Sequence, residues 1–267
     1  MNQVRLDVVQ AMVNELKETK APATIKKIKD VMHQMFEQAI KSQYILFNPV
    51  NGVDIPKLKQ KNREPIPQEH IKSIVEFCKY YQHGDFIMTL LYTGMRRGEI
   101  LALTAEDVDV DNMNIYVTKA VEFIDNNPHV KEPKTPKSVR TIPILDCLKP
   151  YLDKSLKGKN KHDFVFCDKL GNIYNKMAIR RLFADFNEKY NEYLGNFEEP
   201  IHFTMHQFRH TFCTILYNAG VDVKMAQDIL GHSSVNVTLD IYTHLTIESK
   251  RISANKINEY IKHKTKC

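Results

Sequence analysis

At 267 residues, 43% hydrophobic and 9% aromatic, the chain is too long for one small core and too apolar to be disordered; it fits one large domain, or one large and one small. A formal net charge of +6 leans mildly towards a polyanionic partner. Five scattered cysteines without a Cys-x-x-Cys pair exclude a disulfide framework, no apolar run approaches the roughly 18 residues of a spanning helix, and Met1–Asp7 lacks the apolar stretch of a signal peptide. The expectation is a soluble, cytoplasmic protein with reduced thiols and no membrane partner.

Residues 6–17 place Leu6, Val9, Val13 and Leu16 at helical spacing. Thr24 then reads as the N-cap of a longer helix with the apolar stripe Ile28, Val31, Met32, Met35, Phe36 and Ile40. Its other face carries Lys26, Lys27 and Lys29, either solvated or turned to DNA. Between Asn48 and Pro67, the prolines at 49, 56, 65 and 67 preclude a regular helix. With Lys57, Lys59, Lys61 and Arg63 among them, they predict a basic extended linker and a domain boundary. Beyond it, helical patterns cover about 68–80, 84–93, 97–103, 145–156, 175–193, 205–219, 222–230 and 247–262. Met113–Phe123 reads as a strand, Asp125–Pro128 as its turn and Val139–Ile144 as a second strand. The predicted fold is therefore mainly α with a small antiparallel β-sheet, one of whose turns is Lys134–Ser138.

Four short motifs carry chemistry: Thr93-Gly94-Met95-Arg96, His206-Gln207-Phe208-Arg209, Leu230-Gly231-His232 and Asp240-Ile241-Tyr242-Thr243-His244. Two guanidinium forks can neutralise the non-bridging oxygens of a phosphate. Histidines can donate hydrogen bonds to the same oxygens or move protons near neutrality. A tyrosine hydroxyl, poorly nucleophilic while protonated, needs such surroundings to attack. Arg96 and Arg97 open a helix, where the helix dipole mildly disfavours positive charge, so an anion suits them. Blander readings stand beside these. Gly231-His232 can simply end a helix, and Tyr242 can fill a core among Leu239, Ile241 and Leu245. His202, His206 and His210, at i, i+4 and i+8, could bind a metal on a helix. Against the metal stand the lack of a nearby carboxylate or cysteine, the Pro200-Ile201 step and the charge of Arg209.

In this order and wording the motifs closely resemble the tyrosine recombinase (phage integrase) family, over about residues 64–262. The resemblance implies a partial helical core-type DNA-binding domain with its linker over 1–58, and a tyrosine recombinase catalytic domain over 59–267. It implies that Arg96, Arg209, His206 and His232 hold the scissile phosphate, with Glu99 the buried partner of Arg96. Tyr242 would attack, His206 would share its proton, and Lys134, between Lys131 and Lys137, would protonate the leaving 5′ oxygen. His210 would pack structurally. The implied function is site-specific recombination, as by an integrase of a bacterial prophage or integrative element, through a 3′-phosphotyrosine intermediate. Neither metal, cofactor nor ATP is implied. The implied partners are double-stranded DNA at attachment sites, a homotetramer exchanging the segment Ile247–Ile261, and accessory DNA-bending or excision factors. Two alternatives are a type IB topoisomerase-like strand cleavage and a non-catalytic DNA-binding module. The second would need a broken catalytic group, yet each expected polar position is filled.

Overall fold

The computed structural model describes residues 4–56, 64–132, 139–195, 199–232 and 239. The contacts divide the chain into two units, Met1–Asn62 and Arg63–Cys267. Among the described residues, no helix is long and apolar enough to cross a membrane.

The first unit holds α1 (Leu6–Thr19) and α2 (Pro22–Lys41). Pro22, with its φ preset, stands at the start of α2, and Ala21 is the N-cap. Thr24, expected at that cap, therefore lies inside the first turn. Val9, Val13, Ile25, Val50 and Val53 form the core, with Met12, Leu16, Met32 and Phe36 against it. The buried stripe of α2 is thus rotated from the expected one: Val31 is 57% exposed and Met35 66%. Lys29 belongs to the inner side, where its ammonium donates to the Val53 carbonyl at 2.6 Å. The Gln10 amide donates to the Asp54 carbonyl at 3.1 Å and accepts from the Asp54 N–H at 2.8 Å. Residues 48–55, expected as extended linker, are therefore folded onto the helices, and the basic residues from Lys57 to Arg63 lie outside the described residues.

In the second unit the order is α3 (Gln68–Cys78), α4 (Gly84–Thr93), α5 (Arg97–Ala102), a 3₁₀ turn (Ala105–Asp107), β1 (Val108–Asp109), β2 (Asn114–Val117), β3 (Ala120–Ile124), β4 (Asn127–Lys131), β5 (Arg140–Pro143), α6 (Lys149–Leu156), α7 (Lys176–Leu194), α8 (Met205–Asn218) and α9 (Val223–Leu230). Every residue from Phe86 to Leu91 is buried, as befits a helix apolar on all sides. Helix α4 is accordingly central, packed against α3, α6 and α8. Phe183, Phe186, Tyr190, Phe203 and Phe208 interlock edge-on and stacked beside it.

The single strand expected over 113–123 is two strands in two sheets. β2 lies between β1 and β5 in an antiparallel sheet, with Ile115 opposite Ile142 and Val117 opposite Arg140. Among the described residues β3 pairs with β4, as a hairpin with Val121 opposite Val130. The break falls at Thr118-Lys119, whose side chains turn to the Asp107 carboxylate: Thr118 Oγ1 donates at 3.1 Å and Lys119 Nζ lies at 3.2 Å. The hairpin turn is Asp125-Asn126, with Asp125 left-handed at φ 56°, so Asn127 and Pro128, expected in the turn, belong to β4. Helix α6 starts at Lys149, later than expected, because Leu145–Leu148 forms a turn first. The turn Lys134–Ser138 and the expected helix 247–262 lie outside the described residues.

Candidate active site

Arg96 is placed by the corner between α4 and α5. Gly94 ends α4 in the left-handed region at φ 58°, and a Cβ there would stand 2.7 Å from Phe212 Cδ1 and 2.8 Å from Leu230 Cδ2. Only glycine turns the chain so tightly at this place. Two residues on, Arg96 is the N-cap of α5 and Glu99 its third residue. The Glu99 carboxylate accepts from the Arg96 backbone N–H at 2.8 Å and from Arg96 Nη1 at 2.7 Å. The same carboxylate takes the whole fork of Arg140 from β5, Nη1 at 3.0 Å and Nη2 at 2.7 Å. Burial alone would raise the carboxyl, but the hydrogen bonds and charge of Arg140, then of Arg96, hold its pKa at about 2. It is an anion at neutral pH, clasped by two cations.

Arg209 and His206 come from α8. Thr204 caps that helix in a reciprocal box with Gln207: the Gln207 N–H donates to Thr204 Oγ1 at 3.3 Å and the Thr204 N–H to Gln207 Oε1 at 2.9 Å. His206 falls in the first turn, and Arg209 three residues later. Arg209 is only 5% exposed. Its Nη1 donates to the Gly94 carbonyl at 2.8 Å and its Nη2 to the Leu230 carbonyl at 2.7 Å. Burial, then the charge of Arg96, lowers its pKa to about 9, which still leaves it charged at neutrality.

His232 follows α9, which Gly231 ends at φ 67°. The His232 N–H donates to the Gln227 carbonyl at 3.1 Å, and Gln227 Nε2 donates back to the His232 carbonyl at 3.0 Å. Burial first, then the charges of Arg209 and Arg96, pushes the imidazole pKa down to about 3. The ring is thus neutral here and carries a single N–H. Three successive carbonyls at the end of α9 each accept from an arginine: Ile229 from Arg140 Nε at 2.8 Å, Leu230 from Arg209 and Gly231 from Arg96. These are the acceptors that a helix C-terminus leaves without partners, and its dipole favours cations there.

Arg96, His206 and Arg209 therefore line one cleft of about 660 Å³, together with Arg97, Arg180 and Asn187. His232 stands within the electrostatic reach of Arg96 and Arg209. His206 meets His210 edge-on, ring centres 4.7 Å apart. His202 precedes α8, so the three histidines do not share a helix face, and among the described residues no group of three His, Cys, Asp or Glu side chains could hold a metal. Lys134, Lys137 and Tyr242 lie outside the described residues. Lys131, in β4, is ion-paired to Glu122.

Arg140 escaped the sequence reading. Period 2 along β5 sets it on the same face as the buried Ile142, and an arginine on a buried face requires a carboxylate. That pairing with Glu99, 41 residues away, is a tertiary fact with no local trace.

The phage integrase family model matches residues 64–249. A protein described as tyrosine recombinase XerC-like, from Caldanaerobacter subterraneus subsp. tengcongensis, is 28% identical over 94% of this chain and 70% of its own length. The transposase of transposon Tn916 from Enterococcus faecalis is 29% identical over 73% of this chain and 51% of its own length. The chain thus spans about half of that relative. Among solved structures, the Tn1549 transposon integrase in complex with a circular intermediate DNA superposes with a TM-score of 0.81 at 28% identity, covering 96% of this chain and 86% of that one.

Proposed function

This chain belongs to the phage integrase family of tyrosine recombinases, and from that premise we propose that it cleaves and rejoins DNA at defined sites through a 3′-phosphotyrosine bond to Tyr242. The observation that carries the reading is the cleft in which Arg96 and Arg209, each fixed by carboxylate or carbonyl oxygens, stand beside His206. Arginines oriented before substrate arrives supply the fixed electrostatic environment that a pentavalent phosphorane needs.

The Tyr242 hydroxyl attacks the scissile phosphorus, giving its proton to His206, and the bond to the 5′ oxygen breaks. Lys134 protonates that oxygen, which leaves as a hydroxyl. Arg96 and Arg209 hold the non-bridging oxygens, and neutral His232 donates a hydrogen bond to one of them. A 5′ hydroxyl from a second duplex then attacks the phosphotyrosine, restoring the phosphodiester on a new partner and the phenol on Tyr242. The phosphoester energy stays in the protein–DNA bond, so the cycle consumes neither ATP nor a metal-activated water. Exchange between two duplexes calls for four protomers, with residues 247–261 passed between neighbours. The Tn1549 integrase, solved on DNA, supports duplex DNA as the partner.

The test is a nicked suicide duplex resolved on a denaturing gel. Wild type is expected to give a protein-linked DNA band, while Tyr242→Phe binds the duplex and gives none, because only the nucleophile is lost. A linked band from the Phe variant would overturn the assignment of Tyr242.

A further inference from the structure

We infer that Arg140 is a positioning residue for strand cleavage, setting the phosphate-binding fork of Arg96 through Glu99 and the end of α9 through the Ile229 carbonyl. The inference rests on the recombinase reading above and concerns a side chain that does not itself line the cleft with Arg96, His206 and Arg209.

The geometry is that of a hub. The Arg140 side chain is only 6% exposed and Glu99's 8%, whereas that of Arg96 is 46% exposed. Arg96 therefore faces the cleft with its orientation governed from beneath. A carboxylate has about four acceptor sites, and Glu99 fills them with two bonds from Arg140 and two from Arg96, one of these from the backbone N–H. Oε1 is shared between the two guanidinium groups, so its position for Arg96 is fixed only while Arg140 grips both oxygens. The third nitrogen of the Arg140 guanidinium, Nε, donates the other way, to the Ile229 carbonyl at 2.8 Å. Gly231 is fitted over the same guanidinium: a Cβ there would come within 2.9 Å of Arg140 Nη1. One buried side chain thus holds together α5, which bears the Arg96 cap, and the α9 end that leads into His232 and the segment with Tyr242.

Lysine cannot reproduce this. It is a point charge without a planar fork, able to neutralise Glu99 but not to fix both oxygens and the Ile229 carbonyl at once. A purely structural role would lower thermal stability and leave the chemistry of the bound complex alone. A positioning role slows that chemistry while DNA affinity holds.

The experiment is a double-mutant cycle in the full chain, with Arg140→Lys, Glu99→Gln and the pair. It reads the single-turnover adduct rate on saturating nicked duplex, the Kd for the same duplex, and Tm. Arg140→Lys is expected to slow adduct formation by roughly 10²-fold, the scale of one lost transition-state donor, with Kd within about threefold of wild type. In the Glu99→Gln background the same change is expected to cost no more than about a further threefold, because residues acting through one another are not additive. Should Arg140→Lys fail to fold, Arg140→Gln combined with Glu99→Gln, which leaves no unpaired charge at this buried pair, is compared with Glu99→Gln alone: a further loss within about threefold is expected, and a further loss near 10²-fold overturns the inference. An adduct rate equal to wild type in Arg140→Lys, or equal penalties in both backgrounds, overturns the inference and leaves the recombinase reading standing. Absence of any adduct from wild type overturns that reading and this inference with it.

Discussion

His232 shows how much a site residue's chemistry depends on neighbours that are remote in sequence. Its pKa of about 3 is set by burial first and by Arg209 and Arg96 next. An unfolded chain takes up this proton near the ordinary 6.5 and the folded chain does not, so between these values the unfolded state binds more protons and stability rises with pH. The penalty is absent above about pH 6.5 and grows as pH falls towards 3. Glu99 acts lower: its stabilisation is present above the usual carboxylate range and is lost as pH falls towards about 2. Between pH 7 and 5 His232 therefore contributes to the slope, and His83, also lowered by burial, contributes with the same sign. Thermal melts at pH 7 and 5 should show a smaller drop for His232→Gln than for wild type, and a larger change in that drop than His83→Gln produces. Equal drops in wild type and His232→Gln would show that the imidazole is not held neutral. At this scale the motifs marked Arg96, His206, Arg209 and His232 as candidate phosphate ligands. They could not show that Arg209 is buried, or that Glu99 also answers to Arg140, since both depend on where α9 and β5 pack.

Elements were legible where periodicity was strong. Helices α3, α4, α7 and α8 follow the apolar spacing of their own residues, and α4 is apolar enough to be read as central. Boundaries failed where one residue outweighed a pattern: Pro22 opens α2 ahead of Thr24, and Asp107 draws Thr118 and Lys119 out of what looked like a continuous strand. The Gly94 corner joins the two levels, because it ends α4 and aims Arg96. Gly94→Ala would force a left-handed alanine, about 1–2 kcal/mol, and drive a methyl into Phe212 and Leu230, about 1–3 kcal/mol more. Gly171→Ala isolates the first cost, since Gly171 sits at φ 82° with nothing within 4 Å of its added Cβ. Differential scanning calorimetry should place Gly94→Ala on the order of 10 °C below wild type and Gly171→Ala only a few degrees below. Equal losses would mean that the corner has room, and that Arg96 is not set by this contact.

Across the whole molecule, the order of the motifs carried the reading. Residues from positions 94 to 232 meet in one region, and the family model spans 64–249. The first unit was less legible. Its small core draws on Val50 and Val53, from a proline-bounded stretch whose composition resembles linker. What remains basic and unassigned is Lys57, Lys59, Lys61 and Arg63, outside the described residues. On a chain with formal charge +6, these four are a concentrated part of the excess. If they follow a DNA backbone, each neutralised phosphate releases counterions, and log affinity falls with log salt at a slope of about −0.9 per contact. Replacing all four with glutamine should then flatten that slope by about 3 to 4, as measured by fluorescence anisotropy on a duplex between low and moderate salt. The adduct rate of the saturated complex should hold, because the proposed chemistry gives none of the four a part in cleavage. An unchanged slope would mean that the segment runs clear of DNA, and that affinity comes from the two folded units alone.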